Sequence, residues 1–174
     1  MSPLPFFLML AATAQAADPP PAPSLSVGMV MPYGVHPGVQ ASLSEPLGEH
    51  LFLRQQLAFS ARPDNHLAGM AELEVGLQKP WRSTMTAAAS LGLGYELRAQ
   101  TLTRTVTLGT GSSTRDRALQ HSLMPTLNGQ LGWRLSPRLS VFAGLSVGRR
   151  VPIGAPGELL LMVEHGLRLR LGAV

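Results

Sequence analysis

Along most of this chain, apolar side chains fall at odd-numbered positions and charged or small polar ones at even-numbered positions. Between residues 67 and 78 the odd positions are Leu67, Gly69, Ala71, Leu73, Val75 and Leu77, while the even ones include Glu72, Glu74 and Gln78. The same parity governs residues 139–147 and 167–171. A period of two is that of a β-strand, whose successive side chains point to opposite faces. The pattern predicts eight strands, at about Ser24–Tyr33, Gly38–Ser44, His50–Ala61, Leu67–Gln78, Thr84–Gln100, Ala118–Leu135, Leu139–Arg150 and Glu158–Gly172. The breaks between them carry turn residues: Gly34 with Pro37, Pro46-Leu47-Gly48, Pro63-Asp64-Asn65, Lys79-Pro80, Ser136-Pro137 and residues 152–157. No apolar stripe of helical period runs for a useful length, so helix is scarce beyond the first residues.

The even face decides between two architectures. It carries Arg54, Glu72, Glu74, Glu96, Arg98, Arg134, Arg150, Glu164, Arg168 and Arg170, interspersed with Gly92, Gly94, Gly132, Gly144, Gly148 and Gly166. In a soluble β-protein this face would meet water, and the glycines would have no purpose. Inside a narrow barrel the glycines make room for long side chains, and the charges must pair because unpaired buried charge is costly. Arginine, whose planar fork bonds a carboxylate twice, suits that task. Lysine occurs once, at Lys79. The ten charged residues named above are therefore read as a network inside a barrel, with the odd face turned to lipid. Gln55 and His165 break the rule by facing lipid, and Pro125 removes a ladder donor in mid-strand.

Composition and the chain ends sharpen this reading. Charged residues make up 14% of the chain, against roughly 25% in ordinary globular domains. A net charge of +4 without any Lys/Arg block argues against nucleic acid, and the absence of cysteine excludes disulfides and thiolate metal sites. Leu4–Leu10 is a short apolar core followed by Ala14-Gln15-Ala16, a cleavage pattern. Residues 1–16 are thus expected to be a cleaved signal peptide, 17–23 a proline-rich lead-in, and 24–174 the barrel domain. Trp81 and Trp133 fall at strand ends on one side and Tyr33 and Tyr95 on the other, as interfacial aromatics would. The tight Ser136-Pro137-Arg138 link marks a periplasmic turn and the long 101–117 connector an outer loop, which leaves both termini in the periplasm. Within that connector Arg104, Arg115 and Arg117 could meet lipopolysaccharide phosphates, or belong to a solvated hairpin.

The alternation, the strand count, the signal and segments such as Leu91-Gly92-Leu93-Gly94-Tyr95 and residues 131–144 resemble the small eight-stranded outer-membrane barrels of the OmpA/OmpX type, over roughly Ser24 to the end. The resemblance implies an all-β, antiparallel, up-and-down transmembrane β-barrel. It implies a bacterial outer-membrane location among lipid and lipopolysaccharide, insertion by the outer-membrane assembly machinery, a monomer, and a structural or surface-contact role. Such chains usually end in an aromatic residue that the machinery recognises. This one ends Leu171-Gly172-Ala173-Val174, which implies another route of recognition or a divergent lineage.

Candidate catalytic chemistry is sparse. Some small outer-membrane barrels modify lipid A through a Ser–His pair, but His121 and Ser122 are adjacent in a strand and so point to opposite faces. The histidines 36, 50, 66, 121 and 165 show no metal-ligand spacing, and Gly109-Thr110-Gly111 precedes no helix. The expectation is a protein without cofactor and without enzymatic activity. Two rivals remain: a secreted soluble barrel holding an apolar ligand, which needs the odd face inward, and a lipid A-modifying enzyme, which needs a Ser–His contact on one face.

Overall fold

The computed structural model describes residues 22–32, 36–62, 66–106, 112–152 and 157–172, with side chains left out at 62, 66, 100–106 and 112–118. The expected signal peptide, most of the lead-in and Tyr33 lie outside the described residues. Eight strands form one sheet: β1 (Ser24–Pro32), β2 (Gly38–Pro46), β3 (Leu51–Arg62), β4 (His66–Arg82), β5 (Met85–Val106), β6 (Ser112–Arg134), β7 (Leu139–Pro152) and β8 (Glu158–Arg170). Each pairs antiparallel with its neighbour in sequence, and β1 closes on β8, so the sheet is an up-and-down barrel without a free edge. Closure satisfies the backbone within the wall, which is the condition for strands to cross lipid.

The register fixes the tilt. A row of ladder partners leaving β1 at Ser24 runs through Ser44, Arg54, Glu74, Gly92, Thr126 and Gly148 to Leu160 on β8. Ser24 itself pairs with Arg170, ten residues further along that strand. An eight-stranded barrel with this offset has strands tilted by roughly 40°. At the closing seam Gly28 faces Gly166. A β-carbon at Gly28 would sit 2.2 Å from the His165 carbonyl oxygen, and one at Gly166 the same distance from that of Val27. Only glycine permits the two strands to approach so closely there.

Several strands outrun the periodicity. β5 and β6 continue pairing through Thr101 with Arg117 to Val106 with Ser112, so the expected 101–117 loop is largely a two-stranded extension of the barrel. The reason is visible in Thr103-Arg104-Thr105-Val106, a β-branched run that prolongs the ladder. Likewise β4 runs on to Arg82, four residues past its expected end, across an irregularity between Pro80 and Arg82. Pro125 is accommodated within β6. Pairing with β7 covers Ser122 and Leu123, resumes at Thr126, and keeps the same register on both sides. The β6–β7 link is tight because Ser136 Oγ accepts from the Leu139 amide at 3.1 Å, while the Leu135 amide donates to Leu139 O at 2.9 Å.

The filled lumen and the lipid-facing wall

The two faces of the wall settle which way the barrel is turned. Leu73, Leu93 and Leu145 are 51%, 60% and 48% exposed, whereas Arg54 and Glu74 are 3% and 1% exposed. The odd face is outside, opposite to what a soluble ligand-holding barrel requires. Leu57, Phe59, Leu91, Leu127, Leu159 and their neighbours continue the apolar exterior around the cylinder. A contiguous greasy wall of this size is covered by lipid, not water. Gln55 and His165 stand exposed on this wall. Trp81 and Trp133 are exposed near the end that bears the tight turns. Tyr95 is exposed farther up, and its hydroxyl shares a hydrogen bond with His121 Nδ1. The two rings lie 6.0 Å apart, tilted by 47°. This contact escaped sequence reasoning, because it joins diagonal positions on paired strands: Leu97 faces His121 and Tyr95 faces Leu123.

Inside, the described charges sort into storeys. Near mid-height Arg54 Nε and Nη2 donate to the two Glu74 oxygens at 2.8 and 2.5 Å, and Ser90 Oγ donates to the same carboxylate at 2.5 Å. The fork is possible because Arg54 and Glu74 face each other directly across β3 and β4. Glu72, a member of the expected charge network, forms no ion pair among the described residues and accepts from Thr126 Oγ1 and, at 3.4 Å, from Asn128 Nδ2. It is crowded against Gly92, where a β-carbon would fall 2.2 Å from its Oε1, so this glycine does make room for a glutamate. Glu164 accepts from Gln40 Nε2 at 3.3 Å and Ser146 Oγ at 3.0 Å, and Gln56 Nε2 donates to Gln40 Oε1 at 3.0 Å. Towards the far end Glu96 receives Arg98 Nε at 3.2 Å and Arg150 Nη2 at 2.8 Å, and Arg150 Nη1 reaches Glu158 at 3.1 Å.

Between the mid-height network and the Glu96 cluster lies an apolar layer absent from the sequence reading, which treated the interior as charged and polar throughout. Val30, Ala58, Met70, Met124, Leu160 and Met162 are buried together, drawn from five strands. All are even-numbered exceptions to the parity, one or two per strand, so no single strand betrays the layer. The register brings them to one level. Beside them a void lined by Val30, Met70, Leu160 and Met162 among others is about 10 Å³, room for at most one water. At the opposite end, by the tight turns, Arg134, Arg168 and Arg170 are half-buried around a vestibule of about 450 Å³.

The residues proposed from sequence for chemistry do not assemble. Ser122 is buried in the lumen and His121 is exposed on the wall, as adjacent strand positions dictate. Among the described residues no group of three or more His, Asp or Glu could hold a metal ion. The side chains of Arg104, Arg115 and Arg117 lie outside the described residues, although their backbone runs in the β5–β6 extension.

A closed barrel with a lipid-facing exterior and a packed ionic interior is a transmembrane β-barrel. Solved structures share the fold. The chain is similar to Neisserial surface protein A, with a TM-score of 0.61 and 10% identity over 86% of this chain and 96% of that one. It is also similar to the N-terminal β-barrel domain of Pseudomonas aeruginosa OprF, at 0.53 and 10% over 86% and 98%. A third likeness is to Ail, the attachment invasion locus protein of Yersinia pestis, at 0.52 and 10% over 85% and 97%. The fold is that of the small eight-stranded outer-membrane barrels. No protein-family model matches the chain, and no curated protein matches its sequence.

Proposed function

We propose that this chain is an exported protein of the bacterial outer membrane, where it stands as a single filled barrel and presents its β5–β6 hairpin to the exterior as a contact surface. The observation that carries the reading is the inverted wall: Leu73 on lipid, Glu74 in the lumen. Residues 1–16 would direct export and 17–23 would lead into the barrel, with the assembly machinery inserting it. The hairpin supports the outward role, because it prolongs the sheet well past the other connections. Arg104, Arg115 and Arg117 sit in it, within reach of lipopolysaccharide phosphates if it stands at the outer leaflet. The reading is of architecture and adhesion rather than catalysis.

The chain has no cysteine, so a single introduced thiol reports on topology without background. Thr105→Cys in the hairpin should react with a membrane-impermeant maleimide on intact cells. Ser136→Cys in the β6–β7 turn should react only after the outer membrane is permeabilised. Labelling of Ser136→Cys alone on intact cells would reverse the orientation. Recovery of the chain in the soluble fraction would remove the membrane reading altogether.

A further inference from the structure

The vestibule at the turn-bearing mouth differs from the rest of the lumen in how one of its arginines, Arg168, is matched. Farther in, Arg54, Arg98 and Arg150 each hold a carboxylate, at 2.5, 3.2 and 2.8 Å. Arg168 holds none among the described residues. Its Nε donates to Ser26 Oγ at 3.3 Å, its Nη2 donates to Gln130 Oε1, and its guanidinium lies 5.4 Å above the Phe142 ring. All three partners are neutral, so they orient the cation without discharging it. Glu164, farther up the lumen, is held by Gln40 and Ser146 instead. Arg134 and Arg170 line the same space, together with Ser24, Ser140 and Thr86, whose hydroxyls can donate. The acids on the lining are Glu45 and Glu49, and Glu49 is exposed at the rim beside His50 at 3.7 Å.

A preoriented arginine with neutral supports, in a partly enclosed space of about 450 Å³ lined by two more arginines, has the features of an oxyanion receptor. We propose that this vestibule binds a phosphate group, with Arg168 as its floor and Arg134 and Arg170 on its wall. The group could belong to a soluble phosphate compound entering from the aqueous side or to the headgroup of an anionic phospholipid at the adjacent leaflet. The chemistry at Arg168 is the same for both.

The test uses the full chain refolded in a maltoside detergent, which carries no phosphate. Inorganic phosphate and pyrophosphate are titrated calorimetrically and by thermal unfolding, against potassium chloride at equal ionic strength. A second arm places the protein in nanodiscs of phosphatidylcholine with or without phosphatidylglycerol. We expect saturable binding and a raised midpoint with the phosphate probes that chloride does not reproduce. Arg168→Gln should weaken this at least tenfold. Arg168→Lys keeps the charge but loses the fork, and should weaken it less. Arg82→Gln, outside the vestibule, should leave it unchanged. A response to phosphatidylglycerol alone, lost in Arg168→Gln, assigns the group to lipid; a response to the soluble probes assigns it to solution. The inference fails if phosphate acts no differently from chloride and phosphatidylglycerol no differently from phosphatidylcholine. It fails equally if the Arg168 variants respond like the parent. Should Arg168→Gln not give a folded, heat-modifiable band, Arg168→Lys and Arg170→Gln decide on the same criteria. The outcome does not depend on which side of a membrane this mouth faces, so it stands or falls apart from the topology proposed above.

Discussion

At the scale of single residues, the pair Arg54–Glu74 explains why the interior tolerates charge in a wall surrounded by oil. Each partner would be ruinous alone in the lumen, and each is neutralised by a two-pronged contact that Ser90 completes. The energetic weight therefore lies in the matching and not in the charges themselves. Glu74→Gln should destabilise the barrel by about 3–5 kcal/mol, since it leaves a buried guanidinium without its counterion. Replacing both residues by methionine should cost much less, because no orphan charge remains. Urea unfolding on lipid vesicles, followed by the loss of heat-modifiable migration, measures both. Equal losses in the single and double variants would show that the fork itself, and not charge matching, holds this level together.

At the scale of the strand, the alternation made the architecture legible. Eight strands and two segregated faces follow from parity, because the outward positions of Leu73 and Leu145 and the inward ones of Glu74 and Glu164 never exchange along a strand; the choice of lipid face needed the charges and glycines of the even positions, and the up-and-down order came with the resemblance. The same rule makes a sharp prediction. Leu73→Arg puts a charge on lipid and should cost about 2–4 kcal/mol near the middle of the membrane, whereas Leu135→Arg, beside the β6–β7 turn, should cost well under half of that. Comparing urea midpoints of the two variants in vesicles checks it, and equal effects would mean that the apolar wall is not set in hydrocarbon. What parity could not give are the strand ends and the partners. β5 and β6 run past Gln100 and Ala118 because their threonines and valine pair well once a neighbour is present, and neighbours are not written in one strand. Glu72 finds Thr126 rather than an arginine because the barrel's stagger, which no local pattern encodes, brings β6 to its level. Arg168 was legible as an inward charge, but its lack of a carboxylate is a property of three dimensions.

At the scale of the molecule, the lumen is closed twice over. The mid-height network bridges it through Arg54, Glu74, Glu72 and Glu164, and the layer of Val30, Met70, Met124, Leu160 and Met162 seals it again above. Eight strands leave an interior only wide enough for side chains, and these two barriers use that width differently. One is polar and could in principle pass water between its hydrogen bonds; the other is apolar and offers an ion no replacement for its hydration shell. Barriers in series obey the more resistant of the two, so opening either alone should not produce a channel. In planar bilayers the parent chain should give no conductance steps. Arg54→Ala combined with Glu74→Ala, which removes the ion-paired bridge of the polar barrier, should stay silent because the methionine layer persists. Met124→Ala combined with Met162→Ala should stay silent because the ionic bridge persists. Only the fourfold variant should show steps, provided that its heat-modifiable band confirms a folded barrel. Steps from the polar double variant would mean that the methionine side chains swing aside and seal nothing. Steps from the methionine double variant would mean that water already threads the charged storey, and that the apolar layer alone keeps the parent shut.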